Sequence, residues 1–255
     1  GRYIKFLESH DRRVREDAFH ALYSSYSRYR NTLAASLTSN IKKNRFYATV
    51  RKYNSCLEAS LDSDNIPVSV YDNLIDTVGK NLYLLHRYYE LRKKALKLDS
   101  LHLYDVYVPL VEMPKREIPY EEAVKTVEAG LKPLGAGYID YLKDAFKSGW
   151  IDVYENQGKT SGAYSWGAYD THPYVLLNYQ GTINDVFTIA HEMGHAMHTF
   201  YTNMTQPYIY SEYRIFVAEV ASTVNESLLM DHLLKNTKDK KEKAYLLNHY
   251  LEEFR

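Results

Sequence analysis

The first hundred residues carry apolar side chains at intervals of three and four, the period of an amphipathic α-helix. This pattern predicts three long helices, over 11–39, 44–61 and 68–96. Asp11 stands where its carboxylate can cap the first helix. The Tyr and Leu stripes on these helices are expected to pack together as the core of a helical bundle, although the same stripes could also form a binding face.

The pattern of apolar and polar residues changes after about residue 100. Residues 104–113 alternate aromatic residues with valines and lack a helical period, so they are predicted to be extended. Pro119 suits the first turn of a new helix. Gly, Asn and Asp separate three predicted short strands, at 150–154, 161–165 and 174–179. The predicted fold class is therefore mainly α with a small β-sheet (α+β), divided into a helical region, 1–100, and an α+β region, 101–255.

The strongest local signal is His191-Glu-Met-Gly-His195, an H-E-x-x-H motif. Thr182 and Asp185 resemble a capping box ahead of an apolar run, so the motif is predicted to lie on a largely buried helix. Residues four apart share a helix face at about 5–6 Å, which lets both imidazoles reach one zinc ion. Glu192 lies beside that face, where it can accept a proton from zinc-bound water.

The motif has one alternative interpretation and one further feature, Gly194. Two buried histidines satisfied by hydrogen bonds would give the same sequence pattern without binding a metal. Gly194, between them, costs about 1 kcal/mol in a helix relative to Ala, but it would let another element pack closely. A zinc site needs a third protein ligand, and an element packed against Gly194 is expected to supply it.

His198 is the nearest candidate in sequence. On an unbroken helix, however, it lies about 10.5 Å along the axis from His191, so it is predicted to pack against or support the site. Glu219 is the only carboxylate in the apolar segment 215–221 of the next helix, where a lone charge is costly unless it is paired or bound to metal. Ser211 is expected to cap that helix.

Glu219 is therefore predicted to be the third ligand, although an ordinary salt bridge is the alternative. Two histidines and a glutamate leave one position of a tetrahedral zinc ion open, as in catalytic sites. Glu226 lies on nearly the same helix face as Glu219. It is predicted to accept the remaining N–H of a ligating histidine, with a solvated surface residue as the alternative.

Composition excludes several classes of protein. Lys plus Arg and Asp plus Glu both total 32, so the chain lacks the basic excess of a nucleic-acid binder. It has no apolar run long enough for a membrane helix. Its one cysteine, Cys56, excludes an internal disulfide and a cysteine-ligated zinc site. A single cysteine and the absence of a signal peptide favour a cytoplasmic location.

These motifs together resemble the M3 oligopeptidases, and the oligoendopeptidase F branch in particular. The resemblance is carried by His191-Glu-Met-Gly-His195-Ala-Met-His198, Phe216-Val-Ala-Glu219-Val-Ala-Ser222-Thr, Asn225-Glu226 and the segment 158–179. It implies a mostly helical fold with a zincin-type catalytic core around a deep channel. It also implies one Zn²⁺ per chain as cofactor and oligopeptides as substrates. The implied roles are metal ligand for His191, His195 and Glu219, and general base for Glu192.

The chain differs from the members of this family in one respect, its length. Members of the family are much longer, and a segment beyond the third ligand supplies His and Tyr residues that hold the substrate carbonyl. The chain is therefore expected to be the central part of a longer protein, with the C-terminal part of that protein as a possible partner.

The predicted function is that of a zinc endopeptidase that hydrolyses peptide bonds in short oligopeptides through a zinc-bound water. The alternatives are a zinc carboxypeptidase or dipeptidyl carboxypeptidase, and an inactive zinc-binding helical fragment. Gly162, Ala163 and Tyr164 lie in the predicted strand just before the zinc helix and are predicted to pair with the substrate main chain. An ordinary internal strand is the alternative interpretation of that segment.

Overall fold

The structure, a computed structural model, describes residues 3–111 and 117–253. Met113, the end of the segment 104–113 predicted to be extended, lies outside the described residues, and so does Phe254, the end of an amphipathic helix that the sequence predicts from Lys240. Ten α-helices are described: α1 Tyr3–Leu7, α2 Arg12–Arg28, α3 Arg30–Val50, α4 Cys56–Asp62, α5 Val68–Ala95, α6 Tyr120–Gly130, α7 Ala136–Lys147, α8 Ile183–Thr205, α9 Ile215–Asn236 and α10 Lys240–Glu253. Three strands are described: β1 Ile151–Asp152, β2 Tyr164–Trp166 and β3 Tyr174–Leu176. The prediction of a mainly α chain with a small sheet is confirmed.

The described residues form two compact units, one up to Leu110 and one from Val111 onward. In the first unit α2 begins as predicted, because the Asp11 carboxylate accepts the Arg13 amide at 2.9 Å. The segment 104–113, predicted to be extended, instead begins within a 3₁₀ turn, Leu103–Asp105. There the Asp105 carboxylate accepts the backbone N–H of His102, which closes the turn.

The predicted boundary between the first two long helices is wrong. The predicted first helix breaks at Tyr29, and α3 then continues through residue 44 as far as Val50. The chain next turns at Lys52, whose φ is 64°. Ser55 caps α4 by accepting the Glu58 amide at 3.0 Å, and the Glu58 carboxylate accepts the Asn54 amide at 2.7 Å. This local capping overrides the helical period that continues through the segment.

The expected bundle core of the first unit is also wrong. Several members of the predicted stripes expose more than half of their surface, including Tyr26, Tyr29, Leu37, Leu74 and Val78. The short helix α4 packs against both α3 and α5, which leaves long stretches of those two helices open to solvent. The periodicity therefore identified the apolar faces of these helices, but not a partner for them.

The second unit has an apolar core beneath a small sheet. Its strand order is β1-β3-β2, with β1 parallel and β2 antiparallel to β3. All three predicted strands are present, but each is only two or three residues long. Helices α6, α8 and α9 pack against one another, and α8 also packs against β2 and β3. The edge strand β2 is thereby held beside the helix that carries the H-E-x-x-H motif.

Within the two described ranges, no helix is both long enough and apolar enough to cross a membrane.

Candidate metal centre

Helix α8 begins with the predicted capping box. The Thr182 hydroxyl accepts the Asp185 amide at 3.2 Å, and the Asp185 carboxylate accepts the Thr182 amide at 2.8 Å. Beyond this cap the buried residues include Met193 and Met197, so one face of the helix is locked into the core. Both histidines of the motif lie on the half-buried side of this fixed helix.

Helix α9 reaches α8 at Gly194. A Cβ atom on Gly194 would lie 2.6 Å from the Cα of Ser222 and 2.8 Å from the carbonyl oxygen of Ala221, so a larger residue cannot fit without a shift. The expectation that Gly194 permits close packing is confirmed. This close approach brings Glu219, one helical turn before Ser222, up to the two histidines.

Three side-chain atoms form a small triangle at this junction. The Nε2 atoms of His191 and His195 lie 3.1 Å apart. Glu219 Oε2 lies 3.4 Å from each of them. Ligands of a tetrahedral zinc ion at 2.0–2.1 Å are separated by about 3.3–3.4 Å. The three atoms thus have the spacing and the chemistry that such an ion requires, and together they are the candidate metal ligands in the described part of the chain.

The structure corrects the reasoning that selected Glu219. Its side chain is 53% exposed, and its neighbours Ile215 and Phe216 are exposed as well, so no apolar burial forces the charge into a pair. The expected cap is also wrong. Arg214, not Ser211, precedes the first turn of α9, and the Ser211 hydroxyl donates to the Tyr208 carbonyl instead.

Glu226 contacts Nδ1 of His191, the ring nitrogen that is not part of the triangle. Its Oε1 lies 3.1 Å from His191 Nδ1. The hydrogen bond that His191 donates to the Glu226 carboxylate raises the pKa of His191 in the absence of a metal. By contrast, burial lowers the pKa of His195. The contact leaves His191 Nε2, the nitrogen in the triangle, directed at His195 and Glu219.

Glu192 lies beside the triangle and is only 7% exposed. Burial raises its pKa, and nearby His191 partly opposes that effect. The backbone N–H of Ser165, on the edge strand β2, also lowers the pKa of Glu192. Sequence reasoning missed this effect because a main-chain group leaves no signal in the residue type.

His198 does not belong to the group of described side chains that could hold a metal ion. Its ring stacks on Tyr213 with a centroid distance of 3.8 Å, and the Tyr213 hydroxyl lies 2.8 Å from Thr199 Oγ1. Its position is therefore that of a packing residue beneath the loop that leads into α9.

Asn225 is part of a motif that carries the resemblance, but the sequence analysis assigned it no role. Its side chain is buried on α9 and donates to the Ala190 carbonyl of α8 at 3.0 Å and to the Tyr138 hydroxyl of α7 at 3.1 Å. The available signal was a polar residue on the buried face of α9. This bridge fixes α9 to α8 beside His191.

The three residues predicted to bind substrate differ in what their main chains offer. The Gly162 carbonyl accepts the Asn178 side chain at 2.8 Å. Tyr164 pairs with Leu176 of β3. Because main-chain groups alternate in direction along a strand, those of Ala163 and Ser165 point away from β3, toward the open edge of the sheet. The main chain of Ala163 is therefore the part of this segment best oriented to meet a peptide.

Two histidines one helical turn apart, a carboxylate from a second helix and an adjacent buried glutamate form the donor arrangement of a catalytic metal site of the metallopeptidase class. The match to the sequence model of Peptidase family M3 covers residues 5–255. The chain belongs to peptidase family M3.

Individual relatives support this family assignment. The chain is 52% identical to oligopeptidase PepF of Bacillus subtilis over all of its 255 residues, which cover 38% of that protein. It is 48% identical to an oligoendopeptidase F homolog of Lactococcus lactis, again over the whole chain and 42% of the relative. The chain therefore spans about two fifths of the length of these relatives.

Solved structures show the same fold. The crystal structure of oligoendopeptidase-F from Enterococcus faecium matches with a TM-score of 0.70 and 40% identity, over 100% of this chain and 38% of that one. A Chlamydophila abortus protein matches with a TM-score of 0.88 and 45% identity, over 99% of this chain and 42% of that one.

Proposed function

We propose that this chain carries the zinc-binding part of a metalloendopeptidase that hydrolyses short oligopeptides. The observation that carries the proposal is the triangle of His191 Nε2, His195 Nε2 and Glu219 Oε2, with separations of 3.1, 3.4 and 3.4 Å, beside the buried Glu192. The M3 family membership and the oligoendopeptidase F relatives support it.

The ligands are His191, His195 and Glu219, which leave one coordination position open for one zinc ion per chain. When bound, zinc would lower the pKa of a water molecule to about 7 and polarise the scissile carbonyl. Glu226 accepts the Nδ1 hydrogen of His191 and so keeps the Nε2 lone pair directed at the metal position.

Glu192 is the general base in this proposal. Its carboxylate takes a proton from the attacking water and later delivers it to the leaving amine. Burial raises the pKa of Glu192, which brings a carboxyl closer to the range in which it can both accept and return a proton. The Ser165 N–H partly opposes this rise in pKa.

The substrate main chain is expected to lie along the open edge of β2. The amide and carbonyl of Ala163 point to that edge, whereas the main chain of Tyr164 is paired with β3. Gly162, with φ at +94°, sets the bend that leads into the strand, and Asn178 holds its carbonyl. We therefore assign the main-chain pairing with substrate to Ala163, flanked by Gly162 and Tyr164.

The test is the Glu192→Gln substitution in the full-length protein. We expect peptide hydrolysis to fall by a factor of about 10²–10⁴, because general base catalysis contributes that much, while zinc stays bound at one per chain. Glu121→Gln, on the exposed face of α6, is the matched control and should retain full activity. Hydrolysis by Glu192→Gln at the rate of the control would reject Glu192 as the base.

The choice of substrate distinguishes the related chemistries. An endopeptidase cleaves a peptide whose C-terminus is amidated, whereas a carboxypeptidase or dipeptidyl carboxypeptidase needs the free C-terminal carboxylate. We expect the amidated peptide to be cleaved. Zinc binding without hydrolysis of either peptide would instead indicate an inactive zinc-binding protein.

A further inference from the structure

Ser222 contacts the predicted carboxylate ligand directly. Its hydroxyl lies 2.8 Å from Glu219 Oε2, the same oxygen that faces both histidine nitrogens, and 3.0 Å from the Glu219 carbonyl oxygen. The residue has no solvent exposure. We propose that Ser222 is a positioning residue that holds the Glu219 carboxylate in the ligating orientation.

The exposure of Glu219 makes such a residue necessary. Its side chain is 53% exposed, and a glutamate on a solvent-facing helix surface has many rotamers that point away from the histidines. Nothing in the apolar sequence around it selects the inward rotamer, since Ile215 and Phe216 are exposed too. A hydrogen bond to the carboxylate, made by a fixed donor, selects that rotamer before the metal arrives.

Ser222 is a fixed donor because its backbone is the contact point of two helices. The Cα of Ser222 lies where a Cβ on Gly194 would approach to 2.6 Å, so α8 and α9 are in close contact at this residue. The ligand orientation is thereby tied to the same packing that places His191 and His195 on α8. Each carboxylate oxygen has two lone pairs, so Oε2 can accept the Ser222 hydroxyl and still face a metal.

The hydroxyl has one proton and two acceptors within reach, the Glu219 carboxylate and the Glu219 carbonyl. If the proton is given to the carbonyl alone, Ser222 is an ordinary helix residue without effect on the metal. The adjacent Thr223 supplies a matched control, because its hydroxyl donates to the Glu219 carbonyl and not to the carboxylate.

The experiment compares the zinc affinities of wild type, Ser222→Ala and Thr223→Val in the full-length protein, by competition with a chromophoric chelator. The inference rests on the proposed zinc site, so His195→Ala is included to establish that the bound zinc occupies that site. Circular dichroism verifies that each variant is folded, and Ala is the residue best tolerated in a helix.

We expect Ser222→Ala to weaken zinc binding about 10–100-fold, the usual cost of removing a partner of a metal ligand. Thr223→Val should stay within about twofold of wild type, because the Thr223 hydroxyl contacts the main-chain carbonyl of Glu219 and not its carboxylate. Equal affinities for Ser222→Ala and Thr223→Val, with zinc binding still lost in His195→Ala, would overturn the role of Ser222 alone. A wild type that binds no zinc would overturn the proposed function, and this inference with it.

Discussion

The two units of the chain bury different kinds of groups. In the first unit the most buried side chains include charged ones, with Asp105 at 0%, Arg92 at 1% and Arg15 at 3% exposure, while most of the apolar stripe residues are exposed. In the second unit an apolar core packs beneath α8 and supports the candidate metal centre. A helical period shows which face of a helix is apolar, but it does not show whether a neighbour covers that face.

The same difference explains why the candidate site was easier to locate than the packing of the first unit. On α8 most apolar positions are buried against neighbouring elements, so the polar residues left on its other face stand out as functional. On α3 and α5 the apolar positions meet few neighbours, so burial cannot be inferred from the pattern.

Asp105→Asn should destabilise the first unit strongly. Asp105 accepts Arg15 at 2.7 Å and Arg12 at 3.1 Å, and it is fully buried. Removing the charge leaves Arg15 without its buried counter-ion, which costs about 3–5 kcal/mol. Denaturant unfolding measures the loss. Asp17→Asn, an exposed residue paired with Arg13 at 3.7 Å, is the control and should change stability by less than about 1 kcal/mol.

The buried Asp105 carboxylate also makes the stability of the protein depend on pH. Burial raises the pKa of Asp105, but the hydrogen bonds from Arg15 and Arg12 lower it more, so the net pKa lies below its ordinary value. A carboxyl with a lowered pKa in the folded state stabilises above its unfolded pKa, and that stability is lost as the pH falls through the folded pKa. Wild type should therefore lose more stability on acidification than Asp105→Asn. Parallel losses would contradict the buried ion pair.

Gly194→Ala should separate α8 from α9 in the second unit. The added Cβ meets the Ser222 backbone at 2.6 Å, and overpacking of this kind costs about 1–3 kcal/mol. Because the Glu219 triangle depends on that contact, zinc affinity should fall as well. Thermal unfolding and a zinc titration measure the two effects. Unchanged stability and zinc binding would show that the helices are not in close contact at this point.

Gly79→Ala should have a smaller effect of the opposite sign. Gly79 lies inside α5 in the first unit, and a Cβ there would meet nothing within 4 Å. Ala is preferred to Gly inside a helix by about 1 kcal/mol, so the substitution should raise the free energy of unfolding by up to that amount. Denaturant unfolding tests it. Destabilisation by Gly79→Ala would mean that a neighbour covers this face of α5.

Much of the second unit could be predicted from sequence, because its signals are local. The capping box of Thr182 and Asp185, the spacing of His191 and His195 and the missing side chain of Gly194 each express a short-range requirement. The groups that act on the site residues were harder to find. The Ser165 N–H is a main-chain group, and the role of Ser222 depends on where α9 crosses α8. Glu219 was selected for apolar burial that the structure does not show.

In the first unit the misplaced helix boundary was avoidable. Ser55 and Glu58 have the spacing of a capping box, which marks a helix start inside the segment predicted to be continuous. The exposure of the apolar stripes, by contrast, could not be predicted from the sequence. Tyr26 and Leu74 have the period of core residues, and only three-dimensional packing distinguishes an apolar face that is covered from one that is open.

A crystal structure of the zinc-loaded, full-length protein, with anomalous diffraction measured at the zinc edge, would show directly which side chains bind the metal. The account predicts one zinc ion bound by His191 Nε2, His195 Nε2 and Glu219 Oε2, each at about 2.0–2.2 Å. A zinc ion held by other residues, or no anomalous peak between α8 and α9 in protein that hydrolyses peptides, would contradict it.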